Sequence, residues 1–578
     1  TLGFLFSFFV FRLYRGLWTY FSLDDILHTS QAVLLGTILN AGMIYFARGN
    51  TFDLYPRSVF LSTFLFLVLW EAGGRFAVRW FKKHRNLGET EVDTSKRSIL
   101  IGNSEQVDIL LRRRQFIQGS IGEVVAIVTN DVTQQNLTMH GLKISGPISS
   151  IGQIALARKA TTLVILPPYT GPKEIRAILE SCSGAETTPD FRIVPSIDDL
   201  ATGRLDISVI RKVKIEDLLN REPARFDRKI IADYIRGKSI MITGAGGSIG
   251  AEIARQVAAQ QPSCIILFEI SEFALYTIDQ ALLKAYPNLH VIAYMGDVRS
   301  RNDVQDAIFS AGRIDVVYHA AAYKHVPMIE RNASAGFHNN VLGSNNVATV
   351  ARALGVERMV FISTDKAVRP TSVMGATKRL AERCVLQQPR GQTSFVTVRF
   401  GNVLGSSGSV LPLFKRQIEQ GGPVTVTTPD TRRYFMTIPE AVELVLMAGI
   451  VGEDRQIMVL EMGEPIKIVD LARRLVELSG FVPDKDIQIE FIGLRPGEKE
   501  YEELMTEDEN VVETPYDKIW VLAKTTDDDQ PIELDRIEQL IGEKDHDALR
   551  RLIADHVPES YFATTDLPIQ ERIPSLEE

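Results

Sequence analysis

One short run constrains this chain more than any other: three glycines placed where an apolar strand turns into a helix. Ser239–Thr243 is β-branched and apolar, Ile249–Ala259 carries helical spacing, and Gly244, Gly247 and Gly250 lie between them. Each glycine has a separate task. Gly244 permits the tight turn, Gly247 lets the backbone approach a pyrophosphate, and Gly250 lets the helix pack on the strand. Ser248 and Ile249 then open a helix whose free N–H groups and dipole favour an anion. A second strand, Ile265–Phe268, ends in Glu269, 25 residues past Gly244. A carboxylate there accepts from ribose hydroxyls and repels a 2′-phosphate, so the expected cofactor is NAD rather than NADP. Asp297 and Val298 follow the third strand, Val291–Met295. For Asp297 two readings stand open, a contact to adenine and a plain turn residue. The segment from about Arg236 is therefore expected to be a dinucleotide-binding Rossmann domain.

With 578 residues the chain exceeds one ordinary domain. The same strand opening occurs twice, as Lys96-Arg-Ser-Ile-Leu-Ile-Gly102 and as Lys238-Ser-Ile-Met-Ile-Thr-Gly244. After the first, Val124–Val128 and Thr162–Leu166 alternate with helical stretches, which predicts a parallel sheet covered by helices. This earlier unit lacks the full glycine set. It is read either as a spacer or assembly domain or as a nucleotide-binding or regulatory one.

Residues 1–85 are of a different kind. Gln31–Ala47 is 17 residues without a charge, Ser58–Gly74 carries one Glu, and Leu2–Phe11 is apolar and aromatic. Spanning a bilayer takes about 20 apolar residues. The two longer segments are expected to form a membrane hairpin, with Leu2–Phe11 the stump of an earlier span. Arg12, Arg15 and the cluster Arg75–Arg85 place the later chain on the cytoplasmic side. The domains expected are thus 1–85 transmembrane, 86–220 Rossmann-like, 221–545 catalytic and 546–578 a C-terminal tail. A net charge of −8 gives no basic field for nucleic acid. The three cysteines match no metal spacing, so no metal site is expected.

Further motifs carry chemistry. His319-Ala320-Ala321-Ala322 and Ser363-Thr364-Asp365-Lys366, with Asn340, accompany the glycine turn. Together they resemble the extended short-chain dehydrogenase/reductases. His319–Pro327, Thr364–Ala367, Arg399–Ser409 and Leu494–Lys499 resemble, more narrowly, the CapD-like nucleotide-sugar 4,6-dehydratases of polysaccharide biosynthesis. The large membrane-bound branch acting on UDP-N-acetylglucosamine is the nearest likeness. That resemblance implies a bacterial inner-membrane, multi-pass enzyme with a cytoplasmic catalytic domain. It implies Asp365 as acid, Lys366 as base and retention at sugar carbon 5. The chemistry independently needs an acid and a base close together: carbon 4 is oxidised, the ketone acidifies carbon 5, and the 6-hydroxyl leaves as water. An Asp held protonated and a Lys held neutral are therefore expected.

Short-chain dehydrogenases usually carry Tyr-x-x-x-Lys. Here the line is Met374-Gly-Ala-Thr-Lys378. Lys378 is expected on the nicotinamide ribose. Met374 cannot take a proton, which leaves Thr364, a water or Lys378 as acceptors from the carbon-4 hydroxyl. Asn402, Ser409, Arg433 and Arg495 are candidates for the UDP end, because an Arg fork suits phosphate oxygens. Arg495-Pro-Gly-Glu498-Lys499 reads as a loop entering a helix. Lys324 and Glu330 face the sugar or brace the loop. Analogy with related folds favours a homodimer. Two rivals remain, a nucleotide-sugar 4-epimerase and an inactive membrane-tethered NAD-binding scaffold.

Overall fold

The computed structural model describes residues 2–11, 23–47, 56–85, 96–112, 121–182, 189–194, 210–218, 227–506, 509, 511–522, 530–557 and 560. The polar linker expected over 86–96 and the basic residues Arg12 and Arg15 lie outside them, apart from Lys96. The chain divides into two compact units, the first centred on residues 1–95 and the second holding most of the remainder.

The first unit contains the helices Leu2–Val10, Leu23–Ala47 and Arg57–Arg85. Small residues let two of them approach closely. A Cβ on Gly36 would stand 2.4 Å from the Phe4 ring, and one on Gly3 would stand 2.7 Å from the Asn40 amide. Ser7 Oγ donates to the Ala32 carbonyl across the same contact. This small-residue packing with an interhelical hydrogen bond is the kind that works in lipid. Of the expected hairpin of two spans, the helices support one by length and composition. Among the described residues, Thr29–Ala47 alone is long and apolar enough to cross a bilayer, while the apolar part of the next helix, Ser58–Trp70, is too short by itself. Leu61, Leu65, Phe66 and Leu69 on that helix are exposed.

The second unit contains two sheets. The first has seven strands, in the spatial order Thr138–Met139, Leu142–Ser145, Glu123–Val128, Arg97–Ile101, Thr162–Ile165, Asp190–Ile193 and Arg211–Lys212. Its central strands run parallel and are almost wholly buried.

The second sheet has nine strands. Val291–Met295, Cys264–Glu269, Ser239–Thr243, Val316–His319, Arg358–Ile362, Ser394–Arg399 and Gln456–Leu460 lie side by side in parallel. Ile519–Leu522 and Val511–Glu513 add an antiparallel edge. The chain order reverses between Ser239–Thr243 and Val316–His319, and a doubly wound sheet opens a ligand crevice at such a point. The fold is thus mixed α/β with a Rossmann-type sheet.

Three further features frame that crevice. Small two-stranded sheets with the helices Val410–Glu419 and Ile468–Leu478 form a lobe beyond the carboxyl ends of the large sheet. The apolar core of this lobe is continuous with that of the seven-stranded sheet. From residue 546 the chain is not simply a tail: His546–His556 is helical and buries Leu549, Leu552 and Ile553 in the same cluster as Met374 and Leu380.

Candidate active site

The turn after Ser239–Thr243 is built so that only glycine fits. Gly244 has φ +66°, and a Cβ there would stand 2.7 Å from Ala321 N. At Gly250 a Cβ would fall 2.1 Å from the Gly244 carbonyl oxygen. The helix Ser248–Ala258 therefore presses its first turn onto the strand end, and Gly247 caps it with no side chain over the open N–H groups. Glu269 Oε2 accepts from Gly246 N at 2.9 Å, and its Oε1 accepts from Ile270 N and Ser271 N at 3.1 Å. The carboxylate thus stands beside the glycine turn. Residues and backbone fit a dinucleotide phosphate at this cradle.

A cleft of about 900 Å³ runs from the glycine turn to the smaller lobe, a size suited to small-molecule ligands. It brings together Gly244, Gly247, Ser248, Ile249, Gly250, Ala320, Lys324, Thr364, Lys366, Met374, Lys378, Asn402, Ser409, Arg433, Arg495 and Glu498 along its walls. Of the expected residues, Glu269, Asp297, Val298, Ala321, Glu330 and Asp365 are not on those walls. Asp297 is held by a local pair, its carboxylate accepting from Arg299 Nε at 2.8 and 3.0 Å. Val298 is buried beneath Gly343, where it would meet an added Cβ at 3.0 Å.

The expected acid–base pair lies at the end of the strand Arg358–Ile362, in a short 3-10 turn spanning Asp365–Ala367. Asp365 is fully buried just behind the cleft wall. Its Oδ1 accepts from Thr364 Oγ1 at 2.8 Å and from Lys366 Nζ at 3.0 Å. Its Oδ2 has no hydrogen-bond partner among the described residues, and it would stand 3.2 Å from a Cβ on the cleft-lining Gly401. Lys366 Nζ also donates to Asn402 Oδ1 at 3.0 Å and stands 3.6 Å from Glu502 Oε1. Sequence reasoning expected a neutral lysine, and the site works the other way. Burial alone would depress Lys366, but Asp365 and Glu502 outweigh it, against Arg433, and its pKa is raised. Before any ligand enters, the ammonium form is favoured.

Glu502 was not singled out from the sequence. Tyr501-Glu502-Glu503 reads as a charged surface stretch, and only the fold turns one of its acids inward.

Met374 and Lys378 start the helix Val373–Leu386, nearly every residue of which is buried. Ser372 caps it by accepting from Gly375 N at 3.1 Å. Glu330 Oε1 accepts from Val373 N, so Glu330 braces this helix start. Lys378 Nζ donates to the Ile362 carbonyl at 2.7 Å and lies 4.0 Å from the Phe361 ring centroid. Burial depresses its pKa to about 7, with Glu382 opposing. Asn340 ties the Tyr323 backbone to Thr377 on the same helix.

On the lobe side, Arg433 is pinned by the carbonyls of Arg432, Lys499 and Glu500 at 2.6 to 2.9 Å. Arg495 pairs with Glu498 at 2.7 Å. The helix expected after this loop does not form: Gly497 takes φ +79° and Lys499 Nζ is bound to the Val368 carbonyl, which turns the chain along the cleft. Ser409 Oγ is buried at the cleft wall without a partner among the described residues.

The family described as "Polysaccharide biosynthesis protein" matches residues 240–524. The capsular polysaccharide biosynthesis protein CapD of Staphylococcus aureus is 39% identical over 516 residues, covering 89% of this chain and 84% of the relative. The probable polysaccharide biosynthesis protein EpsC of Bacillus subtilis is 39% identical over 554 residues, covering 94% and 90%. The chain belongs to the CapD-type polysaccharide biosynthesis family. As a CapD-type protein it is a nucleotide-sugar-modifying enzyme. Among solved structures it is similar to the dTDP-glucose 4,6-dehydratase DesIV of Streptomyces venezuelae, which has NAD bound. That likeness has 20% identity and a TM-score of 0.41, and covers 46% of this chain and 88% of the other. In this CapD-type chain the matched region begins in the strand that carries the glycine turn.

Proposed function

We propose that the protein is an NAD-dependent UDP-N-acetylglucosamine 4,6-dehydratase that yields a 4-keto-6-deoxy sugar with retention at carbon 5. The observation that carries this reading is the buried Asp365 with a free carboxylate oxygen, 3.0 Å from Lys366 at the cleft wall. Family membership, the glycine turn and the resemblance of the motifs support it.

NAD, when bound at the glycine turn, supplies the acceptor for the carbon-4 hydrogen and returns it to carbon 6. The chain supplies everything else. The open N–H groups of the helix Ser248–Ala258 hold the pyrophosphate, and Glu269 holds the adenosine ribose. Lys378, fixed by the Ile362 carbonyl, holds the nicotinamide ribose. Thr364, a water or Lys378 accepts the carbon-4 hydroxyl proton. Lys366, after losing its own proton, takes the one on carbon 5 and gives it back there when carbon 6 is reduced, and Asp365 gives a proton to the departing 6-hydroxyl. The short Lys366–Asp365 contact permits both changes at once: a proton passing from Nζ to Oδ1 leaves a neutral amine and a protonated acid. Closing the cleft favours that neutral pair, because charged groups lose more when water is excluded. Arg433, Arg495, Asn402 and Ser409 serve the UDP end. The N-terminal helices are read as an inner-membrane anchor with the catalytic part in the cytoplasm, and the enzyme as a homodimer.

The test is loss of water from UDP-N-acetylglucosamine, read by mass spectrometry, with wild type and Lys366→Ala side by side. Wild type forms product and the variant forms none. Near-normal turnover by the variant removes Lys366 from the base role. An isomerised sugar of unchanged mass makes the enzyme an epimerase, and no change at all favours the scaffold.

A further inference from the structure

A second acid stands at the pair with nothing in the proposed reaction to do. Glu502 is 4% exposed, lines the cleft, and keeps Oε2 buried without a hydrogen-bond partner among the described residues. Its other oxygen faces Lys366 Nζ at 3.6 Å and Arg433 Nε at 3.9 Å. A buried carboxylate oxygen left bare is costly, on the order of 1–3 kcal/mol or more. Such an atom beside a ligand cleft is most simply satisfied by the ligand. An ionised carboxylate has only acceptor sites, so its complement is an O–H or N–H donor. The nucleotide end offers phosphates, which this oxygen repels. The sugar offers hydroxyls.

We propose that Glu502 is a substrate-binding residue whose free Oε2 accepts a hydrogen bond from a sugar hydroxyl while its Oε1 faces Lys366, so that sugar docking and the charge of the base are coupled. This rests on the dehydratase reading above. In the open cleft the carboxylate helps to hold Lys366 as an ammonium, parked between Asp365, Asn402 and Glu502. A hydroxyl donated to Oε2 draws electron density toward the sugar and loosens the hold on the lysine. The base is then released only when a sugar is present to be deprotonated. The charges facing this pair are few. Asp365, Glu502 and Arg433 act on Lys366, and Lys324 across the cleft meets it as a like charge. Around Glu502 stand Lys366, Asp365, Arg433 and Lys499, and burial pushes its carboxyl upward against the pull of Lys366.

The experiment uses the full chain, wild type and Glu502→Gln, with bound NADH fluorescence as the check on folding and cofactor binding. Gln keeps the shape and loses the charge. The KM for UDP-N-acetylglucosamine should rise roughly tenfold to a hundredfold, as expected when an acceptor with full charge is lost. The acid limb of kcat should move to lower pH by about half a unit or more, because Lys366 loses a carboxylate that favours its ammonium form. NADH binding should stay unchanged, and Glu502→Asp should recover part of the KM while leaving the limb near the wild-type position. A variant with unchanged KM and unchanged limb overturns the proposal, and a raised KM with an unmoved limb overturns the coupling. If Glu502→Gln fails to bind NADH, Glu502→Asp decides by the same two readouts, an unchanged KM counting against the proposal. Failure of the dehydratase reading looks different: wild type itself then forms no product. In that case direct titration of UDP-N-acetylglucosamine onto wild type and variant still judges Glu502, with equal affinities overturning its role.

Discussion

The two sheets of the second unit begin alike and end differently. Each opens with a Lys-led apolar strand running into a glycine, Gly102 in one and Gly244 in the other. At Gly244 the turn has positive φ and a Cβ would strike backbone. At Gly102 a Cβ would meet only side chains, those of Leu166 and Val107, at 3.1 and 3.2 Å. The helix after Gly102 starts at once with Ser104, whose hydroxyl is turned to Gln134. The helix after Gly244 is delayed by the further glycines and leaves its N–H groups facing a cleft. A strand–turn–helix is thus an architecture, and only the glycines that backbone contact forces make it a phosphate cradle.

Substitutions at these turns should separate the two cases most widely. Gly250→Val puts a side chain where even a Cβ lies 2.1 Å from the Gly244 carbonyl. Bound NADH fluorescence should vanish, and thermal melting should show a large loss of stability. Gly102→Ala in the other sheet asks its neighbours to yield by a few tenths of an ångström. Turnover should be unchanged, with a fall in melting temperature of a few degrees at most. Equal damage to NADH binding by both would break the distinction.

The next effect belongs to the large sheet alone. Glu382 is fully buried, one turn beyond Lys378, and pairs with Arg399 at 2.7 Å, while Ser363 donates to it at 2.6 Å. Removing one partner of such a pair leaves a bare buried charge, so Glu382→Ala should cost about 3–5 kcal/mol in denaturant unfolding. Burial opposes ionisation, yet Arg399 and Arg379 overcome it and lower Glu382 from 4.5 to about 2. A depressed carboxylate stabilises the fold in full above about pH 4.5, and that stabilisation is lost as pH falls toward 2. Wild-type stability should therefore drop across that window, and Glu382→Gln should show a flatter profile there.

Glu269 gives a smaller, more specific effect. Its carboxylate is already occupied by Gly246 N and the following turn. Glu269→Gln should weaken NAD binding roughly tenfold and narrow the preference over NADP, measured by competitive displacement of NADH. An unchanged preference would make Glu269 a loop brace only.

Strand positions were legible from runs of apolar residues. Glu123–Val128 and Thr162–Ile165 differ from the sequence reading by one residue at an end, and Arg97–Ile101 falls within the run Lys96–Gly102. Such runs are buried on both faces, so local composition reports them directly. Asp365 and Lys366 were visible because they are adjacent in the chain. Glu502 was not, since its partner Lys366 is far away in sequence and only folding makes the contact. The charge of Lys366 was misjudged for the same reason: two carboxylates meet it, and the sequence displays one. The C-terminal helix His546–His556 was missed because its apolar stripe looks ordinary until Arg550 is seen holding the Glu330 carbonyl at 2.6 Å.

The smallest effect concerns how the two sheets are joined. Behind the cleft, the helix Ile468–Leu478 shares one apolar cluster with the seven-stranded unit, and Ile468 itself lines the cleft. Among the described residues one ion pair crosses this junction, Arg474 to Glu180 at 2.6 Å, with Glu180 58% exposed. An exposed pair is screened by water and holds two long side chains in place for little gain, about 0–1 kcal/mol. The shared apolar side chains carry the junction instead. Glu180→Gln should therefore leave the melting temperature within a few degrees and kcat/KM for the nucleotide sugar unchanged. Leu475→Ala, at the buried part of the same helix, should cost about 2–5 kcal/mol. If Glu180→Gln instead raised KM as much as the core substitution does, the charge pair rather than the packed surface would set the lobe's position.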